Sequence, residues 1–229
     1  MSDASDPRIE AGMRRQLALL RERVAGGAAP IGWKAGLNAP APQEKLGLTR
    51  PLVGFLTDAT LVPSGAEVPI AGWTAPALEP EIAMRLGDDV PGGASRDAVA
   101  AAVDALAPAI ELVDLHRPAD DVEEILGLNI FHRAVVLGAW DEGRAGAGLE
   151  GIVLDIDGRV EAADPTAVLG DLTEVVRGVA DTLADAGETL GAGQFVICGS
   201  VVPAFAPSPG ERVVCRFAGL GDVEVRIAG

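Results

Sequence analysis

Aromatic side chains and positive charge are both scarce in this sequence. Aromatic residues make up 3% of the chain, tyrosine is absent, and 18 lysines and arginines face 34 acidic residues, for a formal net charge of −16. Nucleic-acid binding needs a basic surface for phosphates and, for single strands, aromatic rings on which bases stack. The same negative charge opposes binding to an anionic membrane surface. We therefore expect neither nucleic acid nor a membrane as a partner.

Cysteines and long apolar runs are also few. The two cysteines, Cys198 and Cys215, lie in apolar, strand-like segments without C-x-x-C spacing, which favours reduced core thiols over a thiolate metal site. Residues 1–10 are polar and lack the apolar core of a signal peptide. No uninterrupted apolar run approaches the roughly 18 residues that a membrane-spanning helix needs. These absences predict a cytoplasmic protein.

Two patterns that would indicate other functions are incomplete. The run Asp155-Ile156-Asp157-Gly158 resembles the start of a calcium-binding loop, but Thr166 stands where the closing glutamate belongs. Asp157-Gly158 is better explained as a tight hairpin turn. No G-x-G-x-x-G stands between a strand and a helix, so a dinucleotide-binding fold is not supported. The Gly-rich run at 143–148 is expected to be a surface loop.

The hydrophobic pattern predicts a single β-rich α+β domain over residues 1–229, with an N-terminal helical segment at about 6–26. Hydrophobic residues are 48% of the chain, enough for one substantial core. Asp6 caps the first helix, Pro7 occupies its first turn, and Gly26-Gly27 ends it. Further helices are expected from Ser95 to about Leu106, at 120–126 and at 166–186. Short apolar stretches divided by Gly and Pro predict strands at 31–37, 52–56, 79–86, 109–114, 134–137, 151–156, 195–199, 212–217 and 222–227.

Three glutamates in apolar strands suggest a metal site. In a strand at 79–86, Glu79 and Glu81 project from the same face about 6–7 Å apart along the backbone. Pro80 between them cannot donate a ladder hydrogen bond, which suggests an edge or irregular strand with incidental, solvated acids. Glu111 lies in a second, otherwise apolar strand, where a lone carboxylate would be costly to bury. Three carboxylates form an all-oxygen ligand set that suits Mg²⁺ or Mn²⁺ and leaves coordination positions open.

A lysine in an apolar strand has two interpretations. Lys34 lies in Ile31-Gly32-Trp33-Lys34-Ala35-Gly36-Leu37, between glycines that let another group approach the backbone. It either extends to the surface along its apolar stem or provides a cation that binds a substrate carboxylate or enolate.

Several motifs resemble those of one known family in the same order along the chain. They are Gly-Trp-Lys-Ala-Gly-Leu around Lys34, Gly-Phe-Leu-Thr-Asp ending at Asp58, Glu-Pro-Glu-Ile-Ala from Glu79, Glu-Leu-Val-Asp from Glu111 and Cys-Gly-Ser ending at Ser200. The order is similar to that of the 2-keto-4-pentenoate hydratase group of the fumarylacetoacetate hydrolase family, and the similarity covers about residues 30–229. The resemblance implies a rolled, mixed β-sheet core with flanking helices, usually in a homo-oligomer.

The resemblance also implies roles for individual residues. Glu79, Glu81 and Glu111 become the metal ligands, Lys34 an active-site lysine, and Asp58 the acidic active-site residue. Ser200 would face the bound 2-oxo acid.

The chain departs from the typical hydratases at residues 129–133. There it has Asn-Ile-Phe-His-Arg, where typical hydratases have an Asn followed by small residues and Ser-Ser, so the substrate pocket is expected to differ. The family's hydrolases use a His–Glu pair before the metal motif, yet no histidine precedes His116 in this chain. A hydratase or a decarboxylase therefore fits better than a hydrolase. His116 is expected at the surface, and His132 is interpreted either as structural or exposed, or as part of an altered pocket.

The resulting functional prediction is a hydratase that adds water to a 2-hydroxy-2,4-dienoate, as in the meta-cleavage degradation of aromatics. Decarboxylation of a 2-oxo-3-enedioate and acylpyruvate-type hydrolysis are alternatives within the same family. A protein that binds metal and 2-oxo acids without catalysis, or that serves as the partner of a related decarboxylase subunit, is the alternative from another class.

Overall fold

The computed structural model describes residues 6–144, 154–156, 159–161 and 168–229. Five α-helices lie in the described residues: α1 (Pro7–Ala25), α2 (Pro40–Leu46), α3 (Arg96–Ala102), α4 (Val122–Gly127) and α5 (Leu172–Asp185). The described strands are β1 (Pro30–Gly36), β2 (Leu52–Thr57), β3 (Leu61–Pro63), β4 (Glu67–Pro69), β5 (Pro76–Leu86), β6 (Val103–Asp114), β7 (His132–Leu137), β8 (Leu154–Ile156), β9 (Arg159–Glu161), β10 (Phe195–Ile197), β11 (Arg212–Phe217) and β12 (Gly221–Ala228).

A seven-stranded mixed sheet forms the centre of the fold. Its order is β2-β1-β10-β5-β6-β7-β3, with β1–β10 and β3–β7 parallel and the other pairs antiparallel. The edge strands β2 and β3 are joined directly by the short turn Asp58–Thr60. Because three residues connect strands at opposite ends of the strand order, the sheet must curl toward closure. The α+β architecture with a curled mixed sheet and flanking helices is thus confirmed.

A second sheet packs beside the first. It has the order β4-β12-β11-β8-β9, and its close approach to the central sheet is visible at Gly138. A Cβ atom at Gly138 would lie 2.6 Å from the backbone oxygen of Asp222 and 2.6 Å from Cγ of Pro108. A side chain at this position would therefore push the two sheets apart.

The two faces of the central sheet carry different residues. One face contacts the helices through large buried side chains, including Phe55, Leu78, Ile82, Ile110 and Leu112. The strand registers place Lys34, Glu79, Glu81 and Glu111 on the other face, among small or branched residues of a separate apolar cluster. That cluster consists of Leu56, Ala83, Ala107, Ala109, Val135, Phe195 and Ile197. We call this second face the inner face, and the face that contacts the helices the outer face.

Helix α1 begins as its sequence predicts and packs against the outer face. The Asp6 side chain accepts a hydrogen bond from the Arg8 N–H, and Pro7 occupies the first turn. Gln16, which is fully buried, donates from Nε2 to the carbonyl groups of Val53 (3.0 Å) and Leu126 (3.1 Å). This one side chain therefore joins α1 to β2 and α4.

Three expectations need correction. The helix that starts at Ser95 does not reach Leu106, because it ends at Ala102 and β6 starts at Val103, where pairing with β5 outweighs the helical propensity of an Ala-rich segment. Pro80 does not mark an edge strand, since β5 lies between β10 and β6. The short elements α2, β3, β4 and β9 were not expected.

Other expectations have mixed outcomes. The first helix and the strands near 31–37, 52–56, 212–217 and 222–227 are confirmed to within two residues. The helix expected at 166–186 is found as α5, but residues 166–167, the Asp157-Gly158 turn and residues 145–148 lie outside the described residues. Both cysteines are buried and are not joined in a disulfide, as expected. No helix in the described ranges is long and apolar enough to cross a bilayer.

Candidate metal centre and its surroundings

Three glutamates meet on the inner face because β5 and β6 are paired in antiparallel register. Glu79 lies directly opposite Glu111, and Glu81 lies two residues further along β5 on the same face. One carboxylate oxygen from each residue lies within 4.8 Å of the other two. Glu81 and Glu111 are each 1% exposed, so water screens their charges poorly.

When all three glutamates are ionised, their mutual repulsion and their burial raise the free energy of the site. Burial and the nearby Glu111 charge raise the pKa of Glu79 to about 7, with Lys34 opposing the shift. Burial, again followed by the charge of Glu111, raises the pKa of Glu81 well above its usual value. Burial would also raise the pKa of Glu111, but Lys34 and His132 outweigh it and hold that pKa below the usual value. The cluster therefore contains more negative charge than its surroundings neutralise.

Lys34 is buried beside this cluster and does not extend to the surface. The residue is 1% exposed, and its Nζ forms an ion pair with Glu111 Oε1. The same ammonium donates to the carbonyl oxygen of Ile130 at 3.3 Å. An ammonium has three N–H donors, so two are used within the described residues and one remains for a ligand.

A left-handed turn supplies the carbonyl group that contacts Lys34. Asn129, Ile130 and Phe131 have φ values of 52°, 50° and 60°, a region that a β-branched residue such as Ile130 rarely adopts. Asn129 holds the turn by pairing with the backbone of Phe55, accepting from its N–H at 2.8 Å and donating to its carbonyl at 2.9 Å. Gly54 makes room, because a Cβ there would lie 2.8 Å from Lys34 Cγ and 3.0 Å from Asn129 Oδ1.

His132 contacts the same Glu111 oxygen as Lys34. Its Nδ1 lies 2.7 Å from Glu111 Oε1, and its Nε2 lies 3.0 Å from Thr60 Oγ1. Burial, outweighing the Glu111 contact, lowers the pKa of His132 and favours the neutral ring. In that state Nδ1–H donates to Glu111, and Nε2 competes with the Thr57 carbonyl, 3.0 Å from Thr60 Oγ1, for the single O–H of Thr60. His132 is thus buried, not exposed, against a residue of the cluster, and both its structural role and its part in an altered pocket stay predictions.

A tight turn after β10 completes the cluster near Glu81. The Gly199 N–H donates to Glu81 Oε2 at 2.7 Å, and Gly199 has a φ of 99°. A Cβ at Gly199 would lie 2.6 Å from the Asn38 side chain, which donates from Nδ2 to the Cys198 carbonyl at 2.8 Å. The turn thus requires glycine. Sequence reasoning missed Asn38 and Thr60, because neither belongs to a recognisable motif.

Ser200 follows Gly199 and Asp58 lies in the turn after β2, and both are bonded away from the cluster. Ser200 Oγ donates to the Val202 carbonyl at 2.6 Å, although its neighbour Gly199 contacts Glu81. Asp58 is exposed, and its carboxylate accepts from the Ala29 N–H at 2.8 Å. The roles predicted for both residues stay predictions. His116 is partly exposed, and its ring packs edge-on against Phe131 with 5.6 Å between centroids.

The donor set fits a hard divalent cation. All three candidate ligands are carboxylates, and one oxygen from each lies close enough to the other two to bind the same cation. No cysteine or histidine is needed to complete the set. A cation would also offset the carboxylate repulsion that raises the pKa values of Glu79 and Glu81. These residues could hold Mg²⁺ or Mn²⁺.

The chain is similar to known proteins over most of its length. Residues 32–228 match the family model described as fumarylacetoacetate (FAA) hydrolase C-terminal. A 4-oxalocrotonate decarboxylase from Pseudomonas sp is 31% identical over 218 residues, which cover 93% of this chain and 85% of that protein. A 2-hydroxyhexa-2,4-dienoate hydratase from Comamonas testosteroni is 29% identical over 226 residues, or 95% of this chain and 86% of that protein.

Solved structures show the same fold. The 4-oxalocrotonate decarboxylase from Pseudomonas putida G7, complexed with magnesium and adipate, has a TM-score of 0.84 at 29% identity, covering 93% of this chain and 83% of that one. The fumarylpyruvate hydrolase from Pseudomonas aeruginosa, in complex with Mn²⁺ and pyruvate, has a TM-score of 0.66 at 19% identity and covers 86% of this chain and 89% of that one. The second likeness is one of fold alone.

Proposed function

The chain belongs to the fumarylacetoacetate (FAA) hydrolase family, and from this premise we propose that it is a metal-dependent hydratase of a 2-hydroxy-2,4-dienoate. The observation that carries the proposal is the buried Lys34 ammonium, held against an all-glutamate cluster. Both hydratases and decarboxylases among the relatives have names that denote small 2-oxo acids or their enols. An enzyme with this pair of features is suited to stabilise the negative charge of a dienolate.

Each residue of the cluster has a distinct part in the proposal. Glu79, Glu81 and Glu111 hold Mg²⁺ or Mn²⁺, which would polarise the 2-oxygen of the substrate and stabilise negative charge on it. The free N–H of Lys34 donates to the substrate's carboxylate or 2-oxygen, where negative charge grows in the transition state. Contacts with Glu111 and Ile130 fix the ammonium before the substrate arrives, so little reorganisation is required.

Hydration needs two proton movements besides this charge stabilisation. The enol proton is transferred to C5, which leaves a 2-oxo-3-enoate with an electrophilic C4. Water then adds its oxygen to C4 and a proton to C3, giving a 4-hydroxy-2-oxo acid. Asp58 is the proposed acid/base residue, and its exposed carboxylate is free to exchange protons with solvent.

A second candidate is decarboxylation of a 2-oxo-3-enedioate. The specific observation in its favour is the 31% identity with a 4-oxalocrotonate decarboxylase, slightly above the identity with the hydratase. Asp58, which hydration would use, is hydrogen-bonded to Ala29. Loss of CO₂ would need the same cation and Lys34 but fewer proton-transfer groups.

One experiment separates the two reactions. The purified full-length protein, loaded with Mg²⁺ or Mn²⁺, is given 2-hydroxypenta-2,4-dienoate or a 2-oxohex-3-enedioate, and loss of dienoate absorbance is compared with CO₂ release. Hydratase activity predicts dienoate loss without CO₂, and Asp58→Asn should lower kcat by about 10²-fold or more if Asp58 is the acid/base residue. Asp88→Asn, at an exposed acid away from the cluster, is the matched control.

Other outcomes lead to other conclusions. Rapid CO₂ release with no hydration would replace the hydratase by the decarboxylase. Binding of 2-oxo acids without turnover of either substrate would favour a non-catalytic or partner subunit. A homo-oligomer stays a prediction that the mass in solution would test.

A further inference from the structure

A cavity outside the glutamate cluster opens beside the turn that joins β2 to β3. Its volume is about 660 Å³, and it is lined by Arg23, residues 26–28, residues 58–60, His132 and Arg133. His132 separates this cavity from the cluster, because its ring contacts Glu111 with one nitrogen and Thr60 with the other. We call this space the arginine cavity.

Arg23 has no acidic partner within the described residues. Its guanidinium lies over the Phe55 ring, 5.0 Å from the centroid, and is half-buried. Most other arginines in the same described ranges form ion pairs with Asp or Glu, as a chain with net charge −16 allows. Stacking on a ring occupies the face of a guanidinium and leaves the N–H donors at its edge free. A half-buried guanidinium with free donors favours an anionic ligand.

Arg133 brings a second guanidinium to the same cavity. It pairs with the buried Asp114 at 3.0 Å and lies over the Trp73 ring at 5.7 Å, so its position is fixed. Burial, and then the charge of Arg133, lowers the pKa of Arg23, which means that the two guanidinium charges repel each other. Asp58 also lines the cavity, with one carboxylate oxygen held by the Ala29 N–H. Asp114 already pairs with Arg133, whereas Asp58 forms no ion pair with Arg23 among the described residues.

We propose that the arginine cavity binds a small oxyanion, a carboxylate or a phosphate, between the guanidiniums of Arg23 and Arg133. A planar guanidinium presents paired donors that match both kinds of anion. The ligand supplies the negative charge that Arg23 lacks and relieves its repulsion with Arg133. The cavity adjoins the proposed active site, because Asp58, the proposed acid/base residue, lines it and His132 contacts Glu111. Anion binding there is nevertheless measurable without a bound metal or turnover.

The test measures anion binding by the full-length chain after divalent ions have been removed with a chelator. Without a divalent ion the glutamate cluster offers no metal charge to an anion, so binding that Arg23→Gln weakens is assigned to the arginine cavity. Inorganic phosphate and glutarate are titrated separately at low ionic strength by calorimetry. We expect saturable binding of at least one of them, weakened about tenfold or more in Arg23→Gln, and weakened by added salt.

Two further variants separate binding from folding. Arg21→Gln is the matched control, because Arg21 lies on the same helix, is exposed and pairs with Glu188. It should bind as the parent does. Arg23→Lys keeps the charge without the planar fork and should restore part of the affinity, while melting temperatures show that each variant is folded.

The outcomes decide both the site and the source of the anion. Tighter binding of phosphate would indicate a phosphorylated ligand, and tighter binding of glutarate a carboxylate ligand. No saturable binding of either anion by the parent chain, or equal affinities for the parent and Arg23→Gln, would overturn the proposal. Equal losses in Arg21→Gln and Arg23→Gln would overturn it as well, since the effect would then come from net charge.

Discussion

The two faces of the central sheet are made by the same strands but solve different problems. On the outer face, Phe55, Leu78 and Ile110 fill the space against the helices and contribute to the free energy of folding by burying apolar surface. On the inner face, Lys34 and the glutamates occupy equivalent strand positions, and the apolar residues around them range from alanine to phenylalanine. Because strand side chains alternate, one residue of each pair stabilises the fold and its neighbour forms the site. The inner face therefore stabilises the fold less than the outer face does, because its buried glutamates repel one another.

The largest expected effect concerns a glutamate of the inner face. Glu81→Ala should weaken Mn²⁺ binding by at least about 100-fold, because it removes a candidate ligand itself and not a residue that only orients a ligand. The fold should persist, since the substitution also removes a carboxylate that repels Glu79 and Glu111. Calorimetric titration with Mn²⁺ measures the affinity, with Glu67→Ala at an exposed strand residue as the control. Parental affinity in Glu81→Ala would remove Glu81 from the ligand set.

The next effect separates charge from packing at Lys34. Lys34→Met keeps most of the stem volume and removes the ammonium, so kcat should fall about 10²–10³-fold. Metal affinity should not weaken, because a positive charge next to the cation is lost. Steady-state kinetics and Mn²⁺ titration are compared with Lys45→Met, a substitution of the other lysine in the chain. An unchanged kcat for Lys34→Met would return Lys34 to a purely structural role.

Two adjacent residues of β6 sharpen the comparison between faces. Ile110 and Ala109 are both fully buried, on the outer and inner faces respectively. Ile110→Ala should lower the free energy of unfolding by about 2–5 kcal/mol and leave Mn²⁺ affinity unchanged. Ala109→Leu should cost only about 1–3 kcal/mol through overpacking, yet disturb metal binding, because Ala109 lies opposite Glu81. Chemical denaturation and Mn²⁺ titration are measured for both variants. Weaker Mn²⁺ binding by Ile110→Ala would contradict the assignment of stability to the outer face and metal binding to the inner face.

Asp114 is a charged exception on the outer face, and its effect should depend on pH. Burial would raise the pKa of Asp114, but hydrogen bonds from the Ala75 N–H, Arg133 and the Thr74 N–H outweigh it and lower that pKa. A lowered pKa in the folded state stabilises the fold above the unfolded pKa of about 3.9, and this stabilisation is lost as the pH falls through the folded pKa. Asp114→Asn should therefore destabilise the protein by about 1–3 kcal/mol near pH 7 and converge with the parent below about pH 4.

The control for Asp114 lies on the same strand. Asp104 pairs with Arg85 but is 41% exposed, so Asp104→Asn should change the free energy of unfolding by less than about 1 kcal/mol. Denaturation curves recorded from pH 3 to pH 7 compare the two variants. A pH-independent loss in Asp114→Asn would show that its ionised form does not stabilise the fold.

Much of the fold followed from local patterns, and the failures have physical causes. Apolar runs between Gly and Pro located most strands, since such runs can bury both faces. The position of Pro80 could not be inferred, because it depends on where a distant strand ends. Strand β10 stops at Ile197, and beyond it the Val201 N–H donates to the Pro80 carbonyl at 2.9 Å. The donor that Pro80 lacks is therefore not needed in a regular ladder at this point, even in a central strand.

The site was predictable to a similar degree. Alternation placed Glu79 and Glu81 on one face, and their apolar strands singled out Glu111 and Lys34. The family resemblance then gave these residues roles before their pairing could be known. The contact between His132 and Glu111 was not predictable, because it depends on the register shift between β6 and β7 next to His132. The carbonyl of Ile130 reaches Lys34 only through a left-handed turn. The sequence Asn-Ile-Phe does not indicate that three successive residues adopt this conformation.

The left-handed turn at residues 129–131 lowers the stability of the fold but positions a carbonyl group of the site. Each non-glycine residue held there costs about 1–3 kcal/mol, and three such residues follow one another. Selection for heat resistance alone would favour the replacement of Ile130 or Phe131 by glycine, because glycine adopts these backbone angles freely. The replacement would also loosen the segment whose carbonyl holds the Lys34 ammonium. Residues 129–131 are therefore a place where a more robust variant of this protein is expected to be a poorer catalyst.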